Sequence, residues 1–151
     1  MNGGKLDSMM DSTNRFTALQ NFLADIAPIE SSQNAAVVAA KSRDYFWYSP
    51  ILTELLDGKV GDVVVSPRSQ AEVIRVAGAC AKHRINITVR GGGTGNYGQC
   101  VPMQGGIVLD LTQLSKVLQI EAGAVTCEAG ILIADLEKTV TPAQSAADKK
   151  S

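Results

Sequence analysis

The sequence predicts an α+β fold, in which a parallel strand–helix–strand unit carries a glycine-rich loop and an antiparallel hairpin follows it. Three observations predict this. Two short apolar runs, 62–65 and 85–89, flank a stretch with helical periodicity and its own capping signals. Five glycines then fall within residues 90–99, directly after the second run. Further on, residues 117–120 and 124–128 flank Glu121-Ala122-Gly123 as the arms of a hairpin would.

The elements follow in order. Phe16, Leu19, Leu23 and Ile26 recur at helical spacing and Pro28 stops the pattern, which predicts an amphipathic packing helix over residues 13–27. Residues 31–41 read as a turn and a partly apolar segment. Tyr45, Phe46, Trp47 and Tyr48 gather four of the seven aromatic residues. Such a run either stacks on a flat ligand or belongs to a core or interface, where aromatic burial dominates. Residues 62–65 form a short buried strand that Pro67 ends, and Ser69 with Glu72 makes a capping box. Val73, Val76, Ala77 and Cys80 share one face of the helix it starts, and residues 85–89 give the second strand. The crossover should be parallel and right-handed. Residues 107–111 supply a third strand, and Thr112 can cap a short turn after it. Gly130 breaks the second hairpin arm, Leu132, Ile133 and Leu136 begin a new helix, and from Thr141 the apolar pattern is lost. A frayed polar end is expected there.

The glycine-rich loop, Arg-Gly-Gly-Gly-Thr-Gly-Asn-Tyr-Gly-Gln, has the design of a phosphate wrap. Glycine lets the backbone approach a ligand closely, so that successive N–H groups converge on an anion. Arg90, at the mouth of the loop, can add positive charge. The loop sits at the C-terminal end of a strand, where open α/β sheets place ligands. Residues 93–98 also match G-x-G-x-x-G, but a dinucleotide-binding loop of that kind must open a helix, and here Pro102 and Gly105-Gly106 follow. No Gly-Lys-Ser/Thr closes the run, which excludes a Walker loop. A long glycine-rich surface turn is the bland alternative.

Composition bounds the rest. A chain of 151 residues with 45% hydrophobic and 19% charged content fits about one domain with a real core. A net charge of −1 and the lack of a Lys/Arg cluster argue against a nucleic-acid partner. Residues 1–10 hold no apolar run, so neither a signal peptide nor a membrane span is expected there. Three widely spaced cysteines without C-x-x-C pairs argue against a metal site and for a reducing, cytoplasmic compartment. Cys80 and Cys127 read as core residues, whereas Cys100, next to the loop, is the one to test for reactivity. His83, the single histidine, suits the negative end of a helix dipole better than a catalytic role.

With these elements in place, residues 45–136 resemble the N-terminal part of the flavin domain of FAD-linked oxidases of the vanillyl-alcohol oxidase and p-cresol methylhydroxylase (PCMH) type. Glycolate oxidase and D-lactate dehydrogenase flavin subunits belong to the same group. The motifs that carry the resemblance are Val63-Val64-Val65-Ser66-Pro67 before the capped helix, Val89-Arg90-Gly91-Gly92-Gly93-Thr94-Gly95, Gly105-Gly106-Ile107-Val108-Leu109-Asp110-Leu111, and Cys127-Glu128-Ala129-Gly130. It implies the first subdomain of a PCMH-type FAD-binding domain and the start of a second, mostly antiparallel one. Residues 1–44 would be an N-terminal helical segment, 45–140 the partial FAD-binding domain and 141–151 the polar tail.

By the same resemblance, backbone amides of Gly91, Gly92, Gly93, Thr94 and Gly95, with Arg90, Asn96 and Gly98 nearby, hold the FAD pyrophosphate. Pro67 and Gly130 bring backbone close to the adenosine half. Some relatives bind flavin covalently through a histidine in this loop; here those positions are glycine, threonine, asparagine and tyrosine, so the FAD should be noncovalent. The implied activity is oxidation of an alcohol or 2-hydroxy acid donor, with hydride transfer to the flavin and electrons passed to an acceptor. No acid, base or substrate clamp is identifiable, so catalytic residues stay unassigned. Tyr97 is the loop side chain able to face the flavin ring, with a stacking role favoured. Relatives continue into a second FAD-contacting segment and a substrate domain, so the chain reads as truncated. A partner chain could cover the exposed half-cleft, and a noncatalytic remnant or interaction module is the alternative reading.

Overall fold

A computed structural model describes residues 3–45 and 47–148, with side chains placed from Thr13 to Thr141 apart from Phe46. Helix α1 spans Gly3–Ile26, longer than the periodicity predicts. Its inward face is the expected one except at Phe16. Phe22 and Ile26 are buried and Leu19 and Leu23 partly so, but Phe16 is 63% exposed. Three short elements follow: β1 (Ser31–Ser32), α2 (Ala35–Lys41) and α3 (Pro50–Leu56). The Asn34 side chain caps α2 by accepting from the amides of Ala36 and Val37, and Ser49 caps α3 ahead of Pro50.

Strand β2 (Val63–Val65) leads to α4 (Gln70–His83), and β3 (Ile87–Arg90) follows. The predicted capping box is present. Ser69 Oγ accepts from the Glu72 amide at 3.2 Å, while the Glu72 carboxylate accepts from the Arg68 amide at 2.6 Å. On α4, Val76, Ala79 and Cys80 are buried and Val73 packs beside them, whereas Ala77 faces out. Strand β4 (Ile107–Asp110) completes the parallel set.

The sheet order is β1-β2-β4-β3, with β2, β4 and β3 mutually parallel and β1 antiparallel at one edge. The two strands of the predicted crossover unit are therefore not neighbours, because β4 lies between them. Burial explains the insertion. Every residue of β4 is buried, as a central parallel strand requires, whereas Ile87 and Val89 of β3 are 39% and 53% exposed. Side chains alternate across the sheet. Val63, Val65, Ile107 and Leu109 meet α1 and α4 on one face, and Val64 and Val108 meet Val38 of α2 on the other.

After β4, a 3-10 turn spans Leu111–Gln113. Its cap is Asp110, whose Oδ1 accepts from the Thr112 amide at 3.1 Å and its hydroxyl at 2.8 Å. Thr112 is thus the donor where the sequence suggests it as the cap, since the carboxylate one turn earlier is the better acceptor. Strands β5 (Val117–Glu121) and β6 (Ala124–Cys127) form the hairpin, and α5 spans Ile133–Asp148. The end expected to fray at Thr141 is helical as far as Asp148, where Ala143, Ala146 and Ala147 supply strong helix formers. Among the described residues, no helix is long and apolar enough to cross a membrane.

Candidate functional site

The three parallel strands end together. Arg90 lies opposite Asp110 in register, Pro67 follows β2 at the same edge, and the glycine-rich loop leaves β3 there. Loops at this edge of a parallel sheet are placed by rigid strands, which is why such edges hold ligands.

The loop is tied down from behind. Asp44, between α2 and α3, is 1% exposed and accepts from the Gly98 amide at 2.8 Å through Oδ2 and from the Cys100 amide at 3.1 Å through Oδ1. Its own amide donates to Tyr48 Oη at 2.7 Å, and the Tyr45 amide donates to Gly93 O at 2.6 Å. The aromatic run therefore meets the loop through the Tyr45 backbone, while the Tyr48 hydroxyl holds the Asp44 backbone. Tyr45 and Trp47 project outward, 77% and 87% exposed, and Phe46 lies outside the described residues.

Arg90, expected to add charge at the mouth of the loop, lies buried beneath it. Its Nη1 donates to Arg43 O at 2.5 Å and toward Lys41 O at 3.4 Å. Lys41 O is the last carbonyl of α2 and Arg43 O lies two residues beyond it, a place that suits a cation because the helix dipole leaves negative charge there. Gly93 has φ +67°, and a Cβ there would fall on the Arg90 guanidinium. The positive φ favours glycine here, and any side chain would also displace the guanidinium. The Arg90 Nε has no hydrogen-bond partner among the described residues.

The front of the loop is left open. Among the described residues, no protein group accepts from the amides of residues 92–96, while those of Tyr97, Gly98, Cys100 and Val101 are all engaged. Gly92, Thr94 and Asn96 are exposed, and Gly91 and Gly95 are partly so. Consecutive free amides above a buried guanidinium are suited to an oxyanion.

Gly130 and Pro67 are buried at the same end. The Gly130 amide donates to Leu114 O at 2.8 Å, and a Cβ at Gly130 would strike the Leu111 carbonyl. That close approach sets Ala129 O 3.6 Å from the Cβ position of Gly91, and Leu132 Cδ2 3.1 Å from that of Gly92. The structure thus brings Gly91–Gly98 and Gly130 to one end of the molecule, and Pro67 to the same sheet edge.

Charge around the loop is balanced by pairs. Asp110 is buried, which opposes its ionisation, yet Lys41 Nζ at 2.5 Å and the Thr112 donors hold its carboxyl below the usual range. Cys100 was the cysteine singled out for reactivity, but its thiol is buried and pushed upward, first by burial and then by the Asp44 carboxylate. A raised pKa removes the thiolate that reactivity needs. Asp44 itself escapes sequence reasoning. A single aspartate in an irregular segment has no periodicity, and its one signal is its place beside a run of aromatics.

The donor set fits a flavin dinucleotide. Its pyrophosphate is a dianion, matched by the free amides and the cation below, and Gly93 leaves room for that cation to lie against the loop. A family model described as an FAD binding domain matches residues 61–148. The glycolate oxidase subunit GlcD of Bacillus subtilis (strain 168) is 32% identical over 81 residues, which cover 52% of this chain and 17% of that protein. Among solved structures, 4-ethylphenol oxidase from Gulosibacter chungangensis aligns over 85% of this chain and 25% of its own, with TM-score 0.70 and 21% identity. A substrate-bound p-cresol methylhydroxylase aligns over 87% of this chain and 25% of its own, with TM-score 0.68 and 17% identity. At those identities the solved structures share the fold, that of PCMH-type FAD-binding domains. The chain spans well under a third of the length of each of these relatives. With more than half of its residues matched to the family model, the protein belongs to the FAD binding domain family.

Proposed function

We propose that this chain is the nucleotide-holding part of an FAD-dependent oxidoreductase that oxidises an alcohol or 2-hydroxy acid donor. The open amides of residues 92–96 carry the reading. They would bind the pyrophosphate together with Gly91, whereas Gly98, whose amide is spent on Asp44, would shape the loop instead of binding, and Arg90 would act from below as a charge and a positioning residue. Pro67 and Gly130 would shape the adenosine end. When bound, FAD supplies the hydride acceptor, and the protein orients it. Noncovalent attachment is supported by the loop's residue types and by the location of the single histidine, His83, at the end of α4, where it meets Asp25 at 2.7 Å. Residues 45–140 would form the partial domain, preceded by the helical segment 1–44 and followed by the tail 141–151. A 2-hydroxy acid as donor is supported by the glycolate oxidase relative. Three free thiols suit a reducing cytoplasm. An electron acceptor, and a polypeptide over the open face, are the partners this reading calls for.

A second reading, a noncatalytic module with part of a flavin site, is favoured by one observation. Asp44 and Arg90 are both consumed in holding the loop, so neither can act on a substrate. Titration of FAD into the purified chain, followed by flavin fluorescence, tests the first reading. Saturable quenching is expected, and it should be lost in a folded Gly93→Val, Gly95→Val variant. A folded wild-type chain that leaves FAD fluorescence unchanged would overturn it. Glycolate-dependent bleaching of bound FAD would exclude the noncatalytic reading.

A further inference from the structure

We infer that a second ligand site lies at the opposite edge of the sheet from the glycine-rich loop, and that it takes a small, multiply charged oxyanion. The N-terminal ends of β2, β3 and β4 meet α1 and the end of α4 around a cavity of about 520 Å³. That volume lies within the range of small-molecule sites. Its polar lining includes Asn14, Arg15, Asp62, His83, Arg84 and Asn86.

Charge gives the site its sign. Among the described residues Asp62 is the one carboxylate in the lining, and it is already engaged: Arg15 Nη2 reaches its two oxygens at 2.9 and 2.7 Å, and the Gly106 amide donates to it at 2.7 Å. His83 is likewise paired, with Asp25 at 2.7 Å. The surplus is Arg84, whose side chain has no hydrogen-bonded or charged partner among the described residues. Its guanidinium offers a planar fork of donors of the kind that matches carboxylate and phosphate. Two of the last four carbonyls of α4 are already engaged, since the amides of Arg84 and Ile85 close on Ala81 O and Cys80 O, and the cation of Arg84 offsets the negative end of the helix.

The backbone supplies an independent argument. That closure is a Schellman motif, which places Arg84 at the position where glycine is the usual residue. Arg84 has φ +54° and is the one non-glycine residue with positive φ among those described, whereas six glycines occupy the other such positions. A side chain held there against its conformational preference points to a use for that side chain. Its use is to present positive charge to the cavity, and this inference is independent of FAD binding.

Thermal unfolding of the full chain, followed by circular dichroism at constant ionic strength, tests the inference with citrate and inorganic phosphate as probes. A saturating rise of about 4 °C is expected for one or both anions, and none for chloride. The responding anion decides between a polycarboxylate and a phosphate source. Arg84→Gly should melt higher than wild type without anion, because strain is relieved, yet need about tenfold more anion for the same shift. Arg84→Gln keeps the strain and should lose the response without gaining stability. The inference is overturned if neither anion gives a saturating shift, or if both variants respond as the wild type does.

Discussion

At the scale of single residues, the loop depends on two buried charges of opposite sign. Asp44 is buried and binds two loop amides, so its truncation leaves both N–H groups unsatisfied. Asp44→Ala should lower stability by about 2–4 kcal/mol and weaken FAD binding, as read by urea unfolding and flavin fluorescence. Arg90 supports the same loop from the side of Gly93. Asp110 makes a different prediction. Its folded pKa lies below the ordinary value of 3.8, so its pairing stabilises the fold above that value and is lost as pH falls through the folded pKa. Lys41→Met should therefore reduce the steepness of the acid limb of unfolding below about pH 4 while lowering stability near neutrality. A variant with an unchanged acid limb would show that the Lys41 pair contributes nothing to it.

At the scale of elements, α1 and α4 act as one layer. Arg75 of α4 donates through Nε to Asp25 O at 2.9 Å and through Nη2 to Ala27 O at 2.5 Å, while Lys82 and His83 grip the Asp25 side chain. These bonds satisfy the end of α1, whose last carbonyls have no helical partner. The register they set turns Phe22 inward and Phe16 out. Phe22→Ala should cost about 3–5 kcal/mol in chemical denaturation, whereas Phe16→Ala should stay within about 0.5 kcal/mol. Equal effects would restore the face that periodicity alone predicts. Both phenylalanines have apolar neighbours at helical spacing, so the choice between them belongs to the partner helix.

At the scale of the whole molecule, stability is uneven. The central strand β4 is buried throughout, but most residues of the β5–β6 hairpin are exposed, including Leu118 at 61%. A lone hairpin is marginal in water. Hydrogen exchange should therefore find the amides of β5 and β6 exchanging faster than those of β4, and equal protection would contradict this picture. The edge strand β3, with Val89 exposed, and the start of α5, with Ile133 78% exposed, add to an apolar surface beside the loop. Surfaces of this kind mark contact sites.

What the sequence determined by itself was local. Ser69 and Glu72 marked the start of α4, Gly123 the hairpin turn, and the spacing of Gly91 to Gly98 after an apolar run the phosphate-type loop, because caps, turns and backbone freedom act over a few residues. The motif order around them was enough to identify the family. Tertiary structure decided what depends on distant partners. It put β4 between β2 and β3, turned Arg90 under the loop, buried Cys100, and brought in Asp44, 54 residues from the Gly98 amide it holds. Strand order and buried polar pairing are fixed by which surfaces can be excluded from water together, and that is a property of the folded chain rather than of any short stretch of it.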